Sequence, residues 1–375
     1  MIYMDNSATT MVCPEAIAEM TRLMGEAYGN PSSLHSMGLE AEKAVTAARR
    51  AIAKSIGKKE STIYFTSGGT ESDNTAIIGG AIRNAHGRKT VITSEVEHPA
   101  VLQSFKYLES CGFIVKYVKV NSNGVIDLNH LESLLSKDVV LVSIMHVNNE
   151  TGAEMPIKEA CKMVKDYNRD ILFHSDMVQS YLKIPFEDVD LASFSAHKVH
   201  GPKGVGALYI KEGINVNPII FGGGQQKNMR PGTENVPGIA GFGVAAEVFD
   251  RESSFEKVAE IKKVLTEKIL ERIDDVTING GENAIPYVLN MSFKGVKSEV
   301  LLHSLESAKI MVSSGSACSS NHPSPSHVLM AMGVKKELID SSLRLSFSSF
   351  NSVDQTETVA EELRRQVAIL RKVMR

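Results

Sequence analysis

The 375-residue chain has no tryptophan, four cysteines and an aromatic content of 6%. Cys13, Cys111, Cys161 and Cys318 form no CxxC pair and show no Cys/His spacing of the zinc type. That argues against a disulfide framework and against a structural metal, and leaves any chemically important thiol to act alone. An excess of one charge is missing too: 41 Lys+Arg oppose 44 Asp+Glu, a formal net charge of −3. No pull toward nucleic acid or an anionic membrane follows from such a balance. No apolar run approaches the length of a membrane span, and Met1-Ile2-Tyr3-Met4-Asp5-Asn6 has neither the basic start nor the apolar stretch of a signal peptide. A cytoplasmic protein without membrane contact is expected. Internal repeats, heptads and low-complexity blocks are also lacking, which removes solenoids and coiled coils.

What is present, 43% hydrophobic and 23% charged residues, is the composition of an ordered globular protein with one large core and a second, smaller one. Between about residues 60 and 210, short β-branched runs alternate with helix-like segments, the pattern of a mostly parallel sheet covered by helices. The predicted strands are Thr62–Thr66, Thr90–Ser94, Phe113–Val120, Val139–Met145, Ile171–His174, Leu191–Phe194 and Val205–Ile210. In such α/β sheets a ligand sits beyond the carboxyl ends of the strands, so the polar residues that close each run matter most. After Gly222-Gly223-Gly224 the pattern changes. A helix is predicted over Ser254–Ile273 with Val258, Ile261, Leu265 and Ile269 on one face, then a strand over Tyr287–Phe293. A last helix is expected from Ser352, Gln355 completing a capping box, with Val359, Leu363, Val367 and Leu370 as a core stripe.

Several strand ends carry chemistry. Thr66-Ser67-Gly68-Gly69-Thr70-Glu71-Ser72 joins a strand to an amphipathic segment, so free N–H groups and hydroxyls there would suit a phosphate, although glycines at such a junction also serve the turn alone. Ser195-Ala196-His197-Lys198 follows the strand Leu191–Phe194. A lysine held at a sheet edge and partly desolvated can become a nucleophilic amine. Lys198 suits that role better than Lys203, which lies between Pro202 and Gly204 in a predicted turn. Asp176 closes the Ile171–His174 run with no basic neighbour in sequence. It is either a helix cap or the partner of a cationic ring nitrogen, a pairing worth on the order of 4 kcal/mol at ~4 Å and an effective dielectric near 20. His98 follows another strand and offers a face for stacking, or a loop residue's hydrogen bonds. Arg344 alternates with apolar neighbours on a predicted strand, where an arginine either pairs with a buried carboxylate or grips a substrate carboxylate. Among the thiols, Cys161 reads as core and Cys111 as a helix end. Cys318 lies in the small, polar segment Val312-Ser313-Ser314-Gly315-Ser316-Ala317-Cys318-Ser319-Ser320-Asn321, which offers no apolar packing.

Together with Tyr3-Met4-Asp5-Asn6-Ser7-Ala8-Thr9-Thr10, Gly29-Asn30-Pro31-Ser32-Ser33 and Arg230-Pro231-Gly232-Thr233, these segments closely resemble the cysteine desulfurases of the nitrogen-fixation and iron–sulfur-cluster type over nearly the whole chain. The resemblance implies the pyridoxal 5'-phosphate (PLP) transferase fold of the aspartate-aminotransferase type, fold type I, with a mostly parallel central sheet and a smaller α/β domain. It implies a large PLP-binding domain over 14–254 and a small one made of 1–13 and 255–375. By that resemblance Lys198 carries the cofactor, Asp176 pairs with the pyridine nitrogen, His98 stacks on the ring, and Asn149 and Gln179 meet its phenolic oxygen. Gly69, Thr70, Ser195 and His197 bind the phosphate, with Thr233 arriving from the partner subunit of a homodimer. Arg344, helped by Asn30, takes the carboxylate of L-cysteine, and Cys318 accepts the sulfur as a persulfide while alanine leaves. The sulfur then passes to an acceptor protein, an iron–sulfur scaffold or a tRNA-thiolating enzyme, without direct nucleic-acid contact or a catalytic metal. A selenocysteine lyase or another PLP-dependent aminotransferase of the same fold, and a catalytically silent partner in a sulfur-transfer assembly, are the competing readings.

Overall fold

A computed structural model describes residues 1–314 and 325–373. The β-branched runs assemble into a seven-stranded sheet in the spatial order Ile63–Thr66, Gly206–Ile210, Leu191–Ser195, Leu172–Asp176, Val139–Ser143, Thr90–Ser94, Ile114–Val118. All neighbours pair in parallel except Gly206–Ile210, which runs antiparallel to both of its neighbours. The middle strands are buried along their whole length, as a sheet covered by helices on both faces requires. The helices Ser36–Ser55 and Val236–Val248 pack in close contact: a Cβ at Gly243 would stand 2.4 Å from Ala48 Cα, so only glycine permits the approach.

Strand limits differ from the hydropathy pattern where polar groups decide them. Leu172–Asp176 runs two residues beyond the predicted Ile171–His174, because Ser175 and Asp176 join the ladder opposite Ala192 and Ser193. Val139–Ser143 stops two residues short of Met145, whose N–H is taken by the Glu97 carboxylate, with Oε1 at 3.0 Å. Ile114–Val118 is shorter than the predicted Phe113–Val120 at both ends.

Four antiparallel strands form a second sheet in the order Ser313–Ser314, Ser342–Ser346, Val288–Phe293, Val276–Asn279. Its core includes Val258, Ile261, Leu265 and Ile269 of the helix Arg251–Arg272, with Val359, Leu363, Val367 and Leu370 of the helix Gln355–Val373. The first of these helices starts three residues earlier than expected, where Asp250 accepts a hydrogen bond from Ser253 N. The last starts three residues later: Ser352 to Asp354 form a turn, and Gln355 Oε1 accepts from Asn351 Nδ2 at 3.0 Å as well as from Ser352 N at 3.4 Å, half of the expected capping box.

The amino-terminal segment ties the two sheets together. Ile2–Tyr3 pairs in parallel with Ile310–Met311, Met4 joins the second core, and Asp5 bridges to Ser346. A few residues later Thr10 N donates to His197 O and Cys13 N to His200 O, on the first sheet's side. Residues 5–8 therefore cross the seam between the units. Among the described residues no helix is long and apolar enough to cross a membrane.

Candidate active site

The carboxyl ends of Leu172–Asp176 and Leu191–Ser195, the turn after Thr66 and the segment after Ser94 open onto one cavity of about 420 Å³, closed from the second sheet by Ser313 and Arg344. Ten residues singled out in the sequence line it: Gly69, Thr70, His98, Asn149, Asp176, Gln179, Ser195, His197, Lys198 and Arg344.

Lys198 ends a short 3₁₀ turn, Ala196–Lys198, that leaves the strand Leu191–Ser195. Its Nζ donates to the carbonyl oxygens of Ser7 and Ala8, the latter at 2.9 Å, so the seam segment holds the amine over the cavity. Lys203 is exposed in its turn, away from this wall.

Asp176 is 5% exposed, and its Oδ1 accepts from Val178 N at 2.9 Å, a bond within a turn; no helix follows, so the helix-cap alternative is not realised. Burial pushes its pKa up, opposed by the positive fields of His98 and Lys198. His98 caps the helix Pro99–Ser110, its Nδ1 accepting from Ala100 N at 3.2 Å. That bond needs a lone pair on Nδ1, and burial lowers the ring's pKa against the opposing Asp176 charge.

At the glycine turn, Gly68 has φ 156° and ψ −177°, a conformation open essentially to glycine alone. It delivers Gly69 so close to Val178 that a Cβ would lie 2.7 Å from Val178 Cγ2. The hydroxyls of Thr66 and Ser72, candidates to meet a bound anion, bond to each other at 2.8 Å instead. Thr70 is the hydroxyl from this turn that reaches the cavity, with Ser195 and His197 beside it. Burial lowers the His197 pKa to about 4, so its ring is neutral.

Arg344 is 4% exposed and does what the strand pattern allowed: Nη2 pairs with Asp5 Oδ1 at 2.9 Å and Nη1 donates to Asn149 O at 3.1 Å. Its Nε has no partner among the described residues.

Three site residues escaped sequence reasoning. Asp5 is visible there only as part of the amino-terminal motif. Asp73 lines the cavity fully buried, and neither carboxylate oxygen has a hydrogen-bond partner among the described residues. Burial, reinforced by the nearby Asp176 charge, pushes its pKa well above the usual carboxylate range. Glu97, also fully buried, accepts from Ser94 Oγ at 2.6 Å and from Met145 N, and burial lifts it to about 8. Asp73 sits within a helical run and Glu97 two residues ahead of Pro99, where an acid ordinarily reads as a solvated charge.

Asn30 and Thr233 are exposed and lie outside this cavity, and Asn30 Oδ1 accepts from Ser32 N at 3.0 Å. Cys318 lies outside the described residues; the chain enters that segment from Ser313–Ser314, of which Ser313 lines the cavity. Of the other thiols, Cys13 and Cys161 are buried, and Cys111 caps the helix Pro99–Ser110 in an exposed position. Among the described residues no cluster of His, Cys, Asp and Glu could hold a metal ion.

The chain matches the model of the family Aminotransferase class-V over residues 2–359. It is 43% identical over 379 aligned positions to the cysteine desulfurase IscS of Dictyoglomus turgidum, an alignment covering 99% of this chain and 96% of the relative. A solved NifS-like protein superposes with a TM-score of 0.92 at 38% identity, covering 98% of this chain and 99% of that one. The structure of SspA in complex with cysteine superposes with a TM-score of 0.83 at 33% identity, covering 92% and 99%.

Proposed function

The chain belongs to the aminotransferase class-V family, and from that premise we propose that it is a PLP-dependent cysteine desulfurase, converting L-cysteine to L-alanine and storing the sulfur as a protein persulfide. The observation that carries this reading is the convergence of Lys198, Asp176 and Arg344 on one cavity. An amine, a buried carboxylate and a carboxylate-binding guanidinium arrive there from three separate parts of the chain.

The residues fit the cofactor. The cavity has the volume of a small-molecule site. It is acidic on the Asp176 side, and on another wall it offers the hydroxyls of Thr70 and Ser195 and the His197 ring. Lys198 would hold PLP covalently and Asp176 would keep its ring nitrogen protonated. His98 would stack on the ring, while Asn149 and Gln179 would meet the phenolic oxygen. Gly69, Thr70, Ser195 and His197 would take the phosphate. Bound there, PLP supplies an electron sink for the substrate's Cα. The chain does the rest. Arg344 orients the substrate carboxylate, and the Lys198 amine, once free, moves a proton at Cα. Cys318 takes the sulfur: the Cβ–S bond breaks, an S–S bond forms, and the thiol proton of the pair ends on the alanine methyl, so no outside oxidant is needed.

Large apolar side chains stand exposed around the two residues that this cavity leaves out: Met24 (58%), Tyr28 (71%) and Leu34 beside Asn30, and Phe221 (84%) ahead of Thr233. Exposure of that kind supports a homodimer in which each subunit lends these residues to the other's site. The same reading divides the chain into 14–254 and 1–13 with 255–375, and places the enzyme in the cytoplasm with a sulfur-acceptor protein as partner.

Purified protein given PLP and L-cysteine, with no keto acid, should form alanine and carry one extra sulfur on the peptide containing Cys318. Lys198→Ala should do neither. Alanine that forms only when a keto-acid acceptor is added would overturn the reading in favour of transamination.

A further inference from the structure

Behind the cavity wall lies a cation with no counter-charge. Lys183 is 6% exposed, forms no ion pair among the described residues, and has its Nζ 5.4 Å from the centre of the Tyr287 ring. Its one side-chain hydrogen bond among the described residues runs to Gln179 Oε1 at 3.3 Å, and Gln179 Nε2 in turn donates to Ser7 O at 3.0 Å, the carbonyl that also receives the Lys198 amine. The ionisable groups whose fields it meets are Lys198, His197 and His200, all basic, with Tyr287 alongside. Burial, with the Lys198 charge, lowers the Lys183 pKa to about 7.

An ammonium has three donors and no acceptor, so it can face only the oxygen of the Gln179 amide. That fixes Nε2 on the other side, toward Ser7 and the cavity. A buried cation is costly unless something compensates it, and among the described residues no carboxylate does. With no ligand bound the amine meets that cost by shedding its proton near neutral pH, and an anionic ligand in the cavity would supply the charge that keeps it protonated. We propose that Lys183 is a positioning residue that locks Gln179 with its N–H toward the cavity and, through it, supplies the counter-charge for an anionic oxygen bound there. Under the function proposed above, on which this inference rests, that oxygen is the phenolic oxygen of PLP.

The inference sets two effects of opposite sign against each other. Lys183→Met removes a buried amine that is charged below pH 7 and keeps the shape, so at pH 6 the cofactor-free protein should melt at a higher temperature. The same variant should bind PLP roughly tenfold more weakly by titration of cofactor-free protein, the cost of a charge-assisted contact. The pH midpoint of the bound cofactor's visible absorption should rise by about one unit, because a nearby positive charge is gone. Gln179→Met should reproduce the loss of affinity, and the double variant should bind no more weakly than either single one. A Lys183→Met protein with unchanged PLP affinity and midpoint, or losses that add in the double variant, would overturn the role. Should that variant fail to fold, Lys183→Arg, which keeps the charge, must retain the parental midpoint, and a shifted midpoint there overturns the role as well. Failure of the parent chain to bind PLP is a different result and would strike the proposed function itself.

Discussion

At the scale of single residues, the site is decided by which buried charges find partners. Arg344 splits its guanidinium between Asp5 and the Asn149 carbonyl and keeps Nε unbonded among the described residues, a fork held rigid with one tine to spare. Lysine would keep the charge and lose the planar fork. Under the proposed role, in which Arg344 holds a carboxylate that does not react, Arg344→Lys should therefore raise KM for L-cysteine about tenfold or more while lowering kcat less. Steady-state alanine release checks it; an unchanged KM would mean that the substrate carboxylate is held elsewhere. The sequence displayed Arg344, Lys198 and Asp176 because each closes or interrupts an apolar run. It concealed Asp73 and Lys183, since nothing in a local pattern tells that a charged residue in a helical run or a turn is buried.

At the scale of elements, the parallel sheet was legible because strand cores are runs of β-branched residues, and every predicted strand of the first sheet is found. Their ends were not legible, because polar residues that complete a ladder look like loop residues. Ser175 and Asp176 extend their strand in this way, and Glu97 cuts the Val139–Ser143 strand short. Glu97 also makes a pH prediction. Its folded pKa of about 8 lies above the unfolded value of 4.5, so the protonated acid contributes stability that is complete below pH 4.5 and lost as pH rises through 8. Glu97→Gln cannot titrate. The stability difference between parent and variant should fall by up to roughly a few kcal/mol from pH 5 to pH 8.5 in urea unfolding of cofactor-free protein, and a constant difference would show that Glu97 is ionised throughout. Packing between helices is tested at Gly243. Alanine there would drive a methyl into Ala48, so Gly243→Ala should cost about 1–3 kcal/mol in the same assay without altering the residues that line the cavity.

At the scale of the whole molecule, the seam between the two sheets holds the cavity together. Residues 5–8 reach across it, Asp5 toward Arg344 and the Ser7 and Ala8 carbonyls toward Lys198, so a displacement of one unit against the other moves Arg344 and Lys198 relative to each other. Within one chain this arrangement leaves Asn30 and Thr233 exposed beside apolar side chains. If each subunit completes the other's phosphate site, damage to both residues of a shared site can be separated. Lys198→Ala and Thr233→Ala are each expected to be impaired as homodimers, the first in chemistry and the second in PLP affinity. In a mixed dimer one cavity keeps its own Lys198 and receives Thr233 from the Lys198→Ala chain, while the other holds both defects. Unfolding and refolding the two variants together should thus give a mixed species with about half of the parental alanine release from L-cysteine, at a PLP concentration too low to load Thr233→Ala, measured on dimers isolated through different tags. Thr233 acting within its own chain predicts no such recovery, because the intact Thr233 would then always accompany the missing lysine.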